Sequence, residues 1–449
     1  MSQETLRAAK TPPVYGSTAP FLAKAPEFWI PMRHFAFAAA ALWVFAAAFA
    51  WGAFGRHLLG FDVEARRLLG MVHSLTLGWI AMTLFGAMSQ LAPVLWETSL
   101  AWPGAVRAAW RLFALGIAGF VGFLWAGFGA YWIPALLIIA AVFLYIGSFI
   151  KTMSSARRID WTGGHMALST GYLLGLALLG FLLAYDREQG RLFADPRGVL
   201  IAHIHLALIG WVSLSIMGVS YRLVSMFSLS HIDSRTPGRS ALLLLNIGLL
   251  GLAGDSLFFG RRLLELWALI LAGGYLAYAA QVRGIFASRK RRIDPPLAYT
   301  LAAVAGGLAW MILGLGLAFG RLSGFENAEA AYVFCALLCW ATPFILGQIH
   351  KIVPFLVWLH VYSKAWKPPA ALPKIQDLYS ESMVWAEMLL FVPGAWAGTC
   401  GFLAGSYVLL RLSAALILCA ASLYAAHFTT ILRHVFRKDL RWSPPASPS

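Results

Sequence analysis

Ionisable side chains inside long apolar stretches need a reason, because charge in hydrocarbon is costly and usually faces a bundle interior. Three histidines, His73, His203 and His205, stand near the start of such stretches. Neutral imidazole is a standard ligand for heme iron and for copper. His203 and His205 are two positions apart, about 200° around a helix, so both cannot easily face one metal. Cys335 and Cys339 are four apart and share a helix face. With Met71 and Met82 nearby they would suit soft copper; as small residues they would otherwise pack. His350 and His360 come late in one apolar run, beside Lys351. They read as interfacial histidines, or as an inner metal or quinone-head site. Arg222 and Lys351 fall near helix ends, where snorkelling competes with anion, heme-propionate or proton contact. Glu387 is one of few acids in a spanning segment and is a proton-relay candidate. His165 and His427 have no partner at matched spacing and read as structural.

The elements that must position these groups follow from composition. The chain has 449 residues, 60% hydrophobic and 12% charged, with mean hydropathy +0.72. A soluble domain carries about 25% charged residues. A water-soluble enzyme, a disordered tail protein, a disulfide-rich secreted module and a coiled coil are excluded. An all-α polytopic membrane protein remains, since long unbroken apolar runs are not the short alternating segments of outer-membrane strands. The net charge of +16 does not indicate nucleic acid. The basic residues sit in short breaks between apolar runs, where topology-setting charges belong. All four cysteines lie inside apolar runs, so no disulfide framework is expected. No phosphate-binding loop, soluble zinc pattern, nucleophile elbow or Cys-x-x-Cys-His segment is present.

A spanning helix needs about 20 apolar residues. Twelve such runs are found, at 33–55, 67–95, 107–130, 132–152, 164–185, 198–228, 240–260, 262–284, 296–320, 328–361, 383–405 and 407–433. Gly127 to Pro134 reads as a tight turn or a kink. The expected organisation is an N-terminal tail (1–32), one membrane domain (33–433) and a C-terminal tail (434–449). Lys and Arg favour the loops that share a side with both tails, which predicts both termini in the cytoplasm.

An internal repeat runs through these elements. The run from His73, HSLTLGWIAMTLFGAMSQLAPVL, matches HLALIGWVSLSIMGVSYRLVSMF from His205 at an ungapped offset of 132 residues. The tenth run continues the register at an offset of 129: Trp79, Trp211 and Trp340 align, as do Gly86, Gly218 and Gly347. Gln90, Arg222 and Lys351 coincide, as do Pro93, Ser225 and Pro354. Phe334 falls where a third histidine would be. Matches four helices apart predict three pseudo-repeated four-helix units with function at their interfaces.

Twelve helices in three four-helix arcs, with histidines near the starts of the second and sixth, resemble the heme–copper oxidase subunit I superfamily of terminal oxidases and nitric-oxide reductase catalytic subunits. The resemblance implies a low-spin heme ligand at His73 and a copper ligand at His205 or His203. It also implies a bacterial-type inner membrane and other respiratory or assembly subunits as partners. Residues 240–260 hold no histidine where the family has a His-His pair, and 328–349 hold none where it has two heme ligands. Ile209 replaces its tyrosine. The usual binuclear centre therefore cannot be assembled in the family's way.

The expected function is an integral-membrane protein binding heme b, or heme and copper, in redox chemistry linked to nitric oxide or respiratory electron transfer. His73 is the expected ligand, either with His205 as its nearest partner or alone, facing the neighbouring pore at the low-spin heme position that the resemblance implies and leaving a heme there five-coordinate. A non-enzymatic copper or heme carrier or assembly factor is the alternative, as is a secondary transporter. The four-helix period argues against the last, whose halves usually hold six helices.

Overall fold

The computed structural model describes residues 26–59, 66–156, 159–190, 192–232, 234–363 and 372–436. Most of both expected tails lies outside the described residues. So do Arg157, Arg158, Arg191, Lys364 and Lys367, which belong to the charge pattern between the runs. Among the described residues the chain is helical, and twelve helices are long and apolar enough to cross a membrane. They are α1 (Trp29–Phe54), α2 (Arg66–Leu95), α3 (Pro103–Ala126), α4 (Trp132–Ser154), α5 (Trp161–Gln189) and α6 (Pro196–Ser228). The others are α7 (Thr236–Phe259), α8 (Leu264–Ala287), α9 (Pro295–Ala318), α10 (Ala328–Val361), α11 (Glu381–Leu403) and α12 (Tyr407–Phe436). Large apolar side chains such as Leu115, Leu250, Ile312 and Val408 face outward, as suits a protein in a lipid bilayer.

The helix starts explain where the expected boundaries shift. Asp160, Asp195 and Asp294 accept N–H bonds from Gly163, Gly198 and Leu297 at 3.0, 3.1 and 3.2 Å, capping α5, α6 and α9. Pro103, Pro196 and Pro295 open their helices, where a missing N–H costs nothing. Proline and cap thus start α3 and α5 before the apolar runs do. At the other end of α3, Gly127 has φ +75° and Ala130 has φ 56°, so the break before α4 is a tight turn. Helix α1 begins at Trp29, inside the segment expected to be tail.

Each four-helix unit packs its helices in sequence, and α4 meets α5, α8 meets α9, and α12 returns to α1. The ring is closed. Its centre is α2, α6 and α10, whose most apolar stretches are 67%, 67% and 89% buried, against 50% or less for the other nine. These three helices share a rare device. Ser74–Ala81, Leu206–Ser213 and Cys335–Ala341 are π-helical, and each starts one residue after His73, His205 or Phe334. The 132- and 129-residue offsets therefore mark a repeated backbone as well as repeated residues. Runs of π-helix this long are uncommon and often mark functional positions.

Close approaches hold each central helix to the one before it. A Cβ on Gly78 would stand 2.7 Å from Ala41 Cβ, and one on Gly210 would stand 2.8 Å from Tyr172 Cβ. In the third unit the small residue has changed sides. Cys339 occupies the glycine position, and Gly306 on α9 makes the room. On the opposite side, the three tryptophans wedge into the preceding unit. Trp79 meets Tyr424, Trp211 meets Phe85, and Trp340 meets Tyr275 and Tyr278.

Candidate functional site

His73 and His205 adopt one pose. The Nδ1–H of each donates to the carbonyl four residues earlier, Leu69 or Ile201, at 2.8 Å. A carbonyl only accepts, so the proton sits on Nδ1 and the Nε2 lone pair points away; metal-binding histidines are held in this way. The two rings nevertheless face different unit interfaces. His205 Nε2 accepts from the Tyr332 hydroxyl of α10 at 3.0 Å. His73 sits against Phe120 of α3, with ring centroids 5.2 Å apart, and lies within electrostatic reach of His203 on α6.

The register explains this switch. His203 is the repeat counterpart of Tyr332 and of Met71. The same pairing of positions therefore recurs between units: His73 with His203, then His205 with Tyr332. His205 is turned toward Tyr332, and the α6 histidine within electrostatic reach of His73 is His203, two residues and about 200° around the helix from His205. His203 Nδ1–H donates to the Leu176 carbonyl of α5 at 3.2 Å, so its Nε2 also carries the lone pair. No hydrogen bond to either Nε2 is made among the described residues. Both histidines are half-buried.

The third interface differs in kind. Phe334 lies against Phe49 and Phe402 in tilted ring contacts, with centroids 5.4 and 5.3 Å away, and it and Met71 are buried. That interface has aromatic rings around Phe334 and offers no imidazole. The two cysteines are occupied as well. Cys335 Sγ lies 3.6 Å from the Gly306 carbonyl, and Cys339 Sγ lies 3.4 Å from Thr399 Oγ1. No cluster of three His, Cys, Asp or Glu residues able to hold a metal occurs among the described residues.

Arg222 and Lys351 are ion-paired. Arg222 meets Asp160 at 2.6 Å, and Lys351 meets Asp294. Both acids cap the helix that begins the unit, so each pair ties a central helix to its neighbour's first turn. In the first unit Gln90 takes the basic position, and α1 has no side-chain cap; charge and countercharge are missing together. Burial alone would raise the Asp160 carboxyl, but the Thr162 hydroxyl, the Gly163 N–H and Arg222 outweigh it and hold the group below its ordinary value. A depressed carboxyl stabilises the fold above its unfolded-state value and loses that contribution as pH falls through the folded one. The Asp160→Asn variant should therefore unfold with a shallower pH dependence below about pH 4 than the wild-type protein. Equal slopes in acid melting curves would contradict this assignment.

His350 and Glu387 come together in the third unit, with Tyr299. Tyr299 and Tyr332 were not legible as site residues, because tyrosines are common throughout the apolar runs. Only the repeat register could have pointed to Tyr332.

No family model matches the chain, and no curated protein is significantly similar to it.

Proposed function

We propose that this integral-membrane protein is a heme-binding redox protein on an oxidase subunit I-like scaffold, with its heme b held between α2 and α6. The observation that carries the reading is that His73 and His203, from adjacent units and within electrostatic reach of each other, both have Nε2 lone pairs that are unbonded among the described residues. That donor set fits a heme iron. Bound there, iron supplies one-electron transfer. The protein's part is to fix both tautomers through the Leu69 and Leu176 carbonyls and to shield the site with Phe120 and the neighbouring units.

The family's other positions do not fit its cofactors. Phe334 with Phe49 and Phe402 puts aromatic rings at the interface between α10 and α1, and Tyr332 already occupies His205 Nε2. Oxygen or nitric-oxide reduction at a heme–copper pair is therefore not part of this reading. We place both termini in the cytoplasm of a bacterial-type inner membrane, on the distribution of Lys and Arg between loops.

Protein purified in mild detergent should show a heme Soret band. His73→Ala and His203→Ala should each shift that band or lose it, and His205→Ala should leave it within error of wild type. A colourless protein with no bound metal would overturn the reading in favour of a carrier or transporter. Copper without heme, lost in the same two variants, would keep the site and change its occupant.

A further inference from the structure

The same polar positions recur near the face at which α1 begins, once in each unit. The first, second and fourth helices contribute His34, Ser89 and Tyr145 in the first unit, and His165, Tyr221 and Tyr278 in the second. In the third unit they contribute Tyr299, His350 and Tyr424. The third cluster alone has gained a carboxylate. Gly116, Gly248 and Gly394 pack equivalently on Ile138, Leu271 and Ile417 of the following helix. Counted from that contact, Glu387 occupies the place held by Ala109 and Ala241, both buried. Packing at this position thus needs only a methyl group.

Glu387 is 1% exposed and His350 is 2% exposed. The Tyr299 hydroxyl donates to Glu387 Oε1 at 3.0 Å. His350 Nε2 lies 3.2 Å from Oε1 and 3.0 Å from Oε2. Its one N–H is directed better at Oε1, and Oε2 is left without a hydrogen bond. The Tyr424 hydroxyl and His427 Nδ1 are also buried and unbonded, and their rings lie 5.7 and 5.4 Å from His350. Burying a carboxylate beside an imidazole is costly unless every lone pair is satisfied. Here the sister units show a cheaper way to fill the space, and three polar atoms remain unsatisfied.

We propose that Glu387 and His350 form a proton-binding site, which takes up protons from the face at which α1 begins. The pair holds one proton in its neutral state, as imidazolium carboxylate or as imidazole and carboxylic acid. A second proton from water gives a protonated pair of charge +1, with the carboxylic acid able to donate through Oε2. The route to water runs past His427. Its Nε2 accepts the Ser380 N–H at 2.9 Å, and Ser380 caps α11 at the surface. The other titratable groups facing the pair are Tyr299 on α9 and Tyr424 and His427 on α12. Beyond them Lys351 and Asp294 neutralise each other. On the loop, Tyr379 is pushed up to about 12 by burial, then by the Asp294 and Glu381 carboxylates, so it stays neutral and adds no charge.

The site does not rest on the heme reading and is tested without it. Infrared difference spectra of the full chain in liposomes, taken across about pH 4 to 9, should show one buried carboxylic-acid C=O band that grows as pH falls. Glu387→Gln should abolish it. Tyr299→Phe, which preserves shape and removes one donor to Oε1, should shift its midpoint to higher pH. His73→Ala should leave it unchanged. A wild-type protein with no pH-dependent carboxylic band, or one whose band survives in folded Glu387→Gln, overturns the proposal and leaves a structural ion pair. If Glu387→Gln does not fold, Tyr299→Phe decides: an unmoved midpoint overturns it equally.

Discussion

Gly306→Ala should abolish the folded protein, although it adds a single methyl group. A Cβ there would stand 2.0 Å from the Cys339 carbonyl oxygen and 2.4 Å from its carbon. The obstacle is main chain and cannot rotate away. Ordinary overpacking of a core costs about 1–3 kcal/mol; two central helices forced apart at their closest approach should exceed about 3 kcal/mol. That cost is a large fraction of a protein's whole stability. Gly122→Ala is the internal control. Its added methyl meets nothing within 4 Å, and replacing a helix-interior glycine by alanine should stabilise by about 0.5–1 kcal/mol. Thermal unfolding in detergent, read by fluorescence, compares the two. If the Gly306 variant melts with wild type, the closeness of α9 and α10 is wrong. The sister contact of Gly78 with Ala41 predicts the same sensitivity in milder form, relieved by Ala41→Gly.

Trp340→Ala should be the most damaging large-to-small change, costing about 3–5 kcal/mol. Trp340 is 1% exposed and lies against Tyr275, Tyr278 and Phe344, with ring centroids 5.3, 5.6 and 6.1 Å away. Its Nε1–H donates to Ser213 Oγ at 2.9 Å. It therefore joins α10 to both α6 and α8 and closes one unit interface. Trp340→Phe keeps most of the packing and should lose far less. Ser213→Ala leaves one indole N–H unsatisfied, at a cost of about 1–3 kcal/mol. The double variant Trp340→Phe with Ser213→Ala should be better than the sum of the two, because the hydroxyl and the N–H are removed together. Additive losses would show that the bond contributes nothing.

Much of this architecture is legible in the chain itself. An apolar run of spanning length can satisfy its backbone in lipid only as a helix, so twelve runs give twelve helices before any tertiary contact is considered. The repeat is visible as a constant offset, because equivalent positions face equivalent packing problems. Even the π-helical segments lie at matched places, immediately after His73, His205 and Phe334. The residues able to do chemistry could be picked out for the same reason: His73, His203, His350 and Glu387 are polar where lipid or core makes polarity expensive.

Partnership was decided by the tertiary structure. Offsets align His73 with His205, yet the α6 histidine within electrostatic reach of His73 is His203, the residue aligned with Met71 and Tyr332, while His205 bonds Tyr332. Alignment reports equivalence, whereas contact across a closed ring joins non-equivalent positions of neighbouring units. The π-helical segments add to the difficulty, since i→i+5 bonding breaks the period from which helix faces are read. Tyr299, His350 and Glu387 lie on three helices and meet only when the third unit closes. Asp160 and Asp294, far from Arg222 and Lys351 in the chain, become their counter-ions because each caps the helix packed beside them. Helix formation is local and set by solvent; which side chains meet is set by how helices are rotated and paired, and only the assembled bundle determines that.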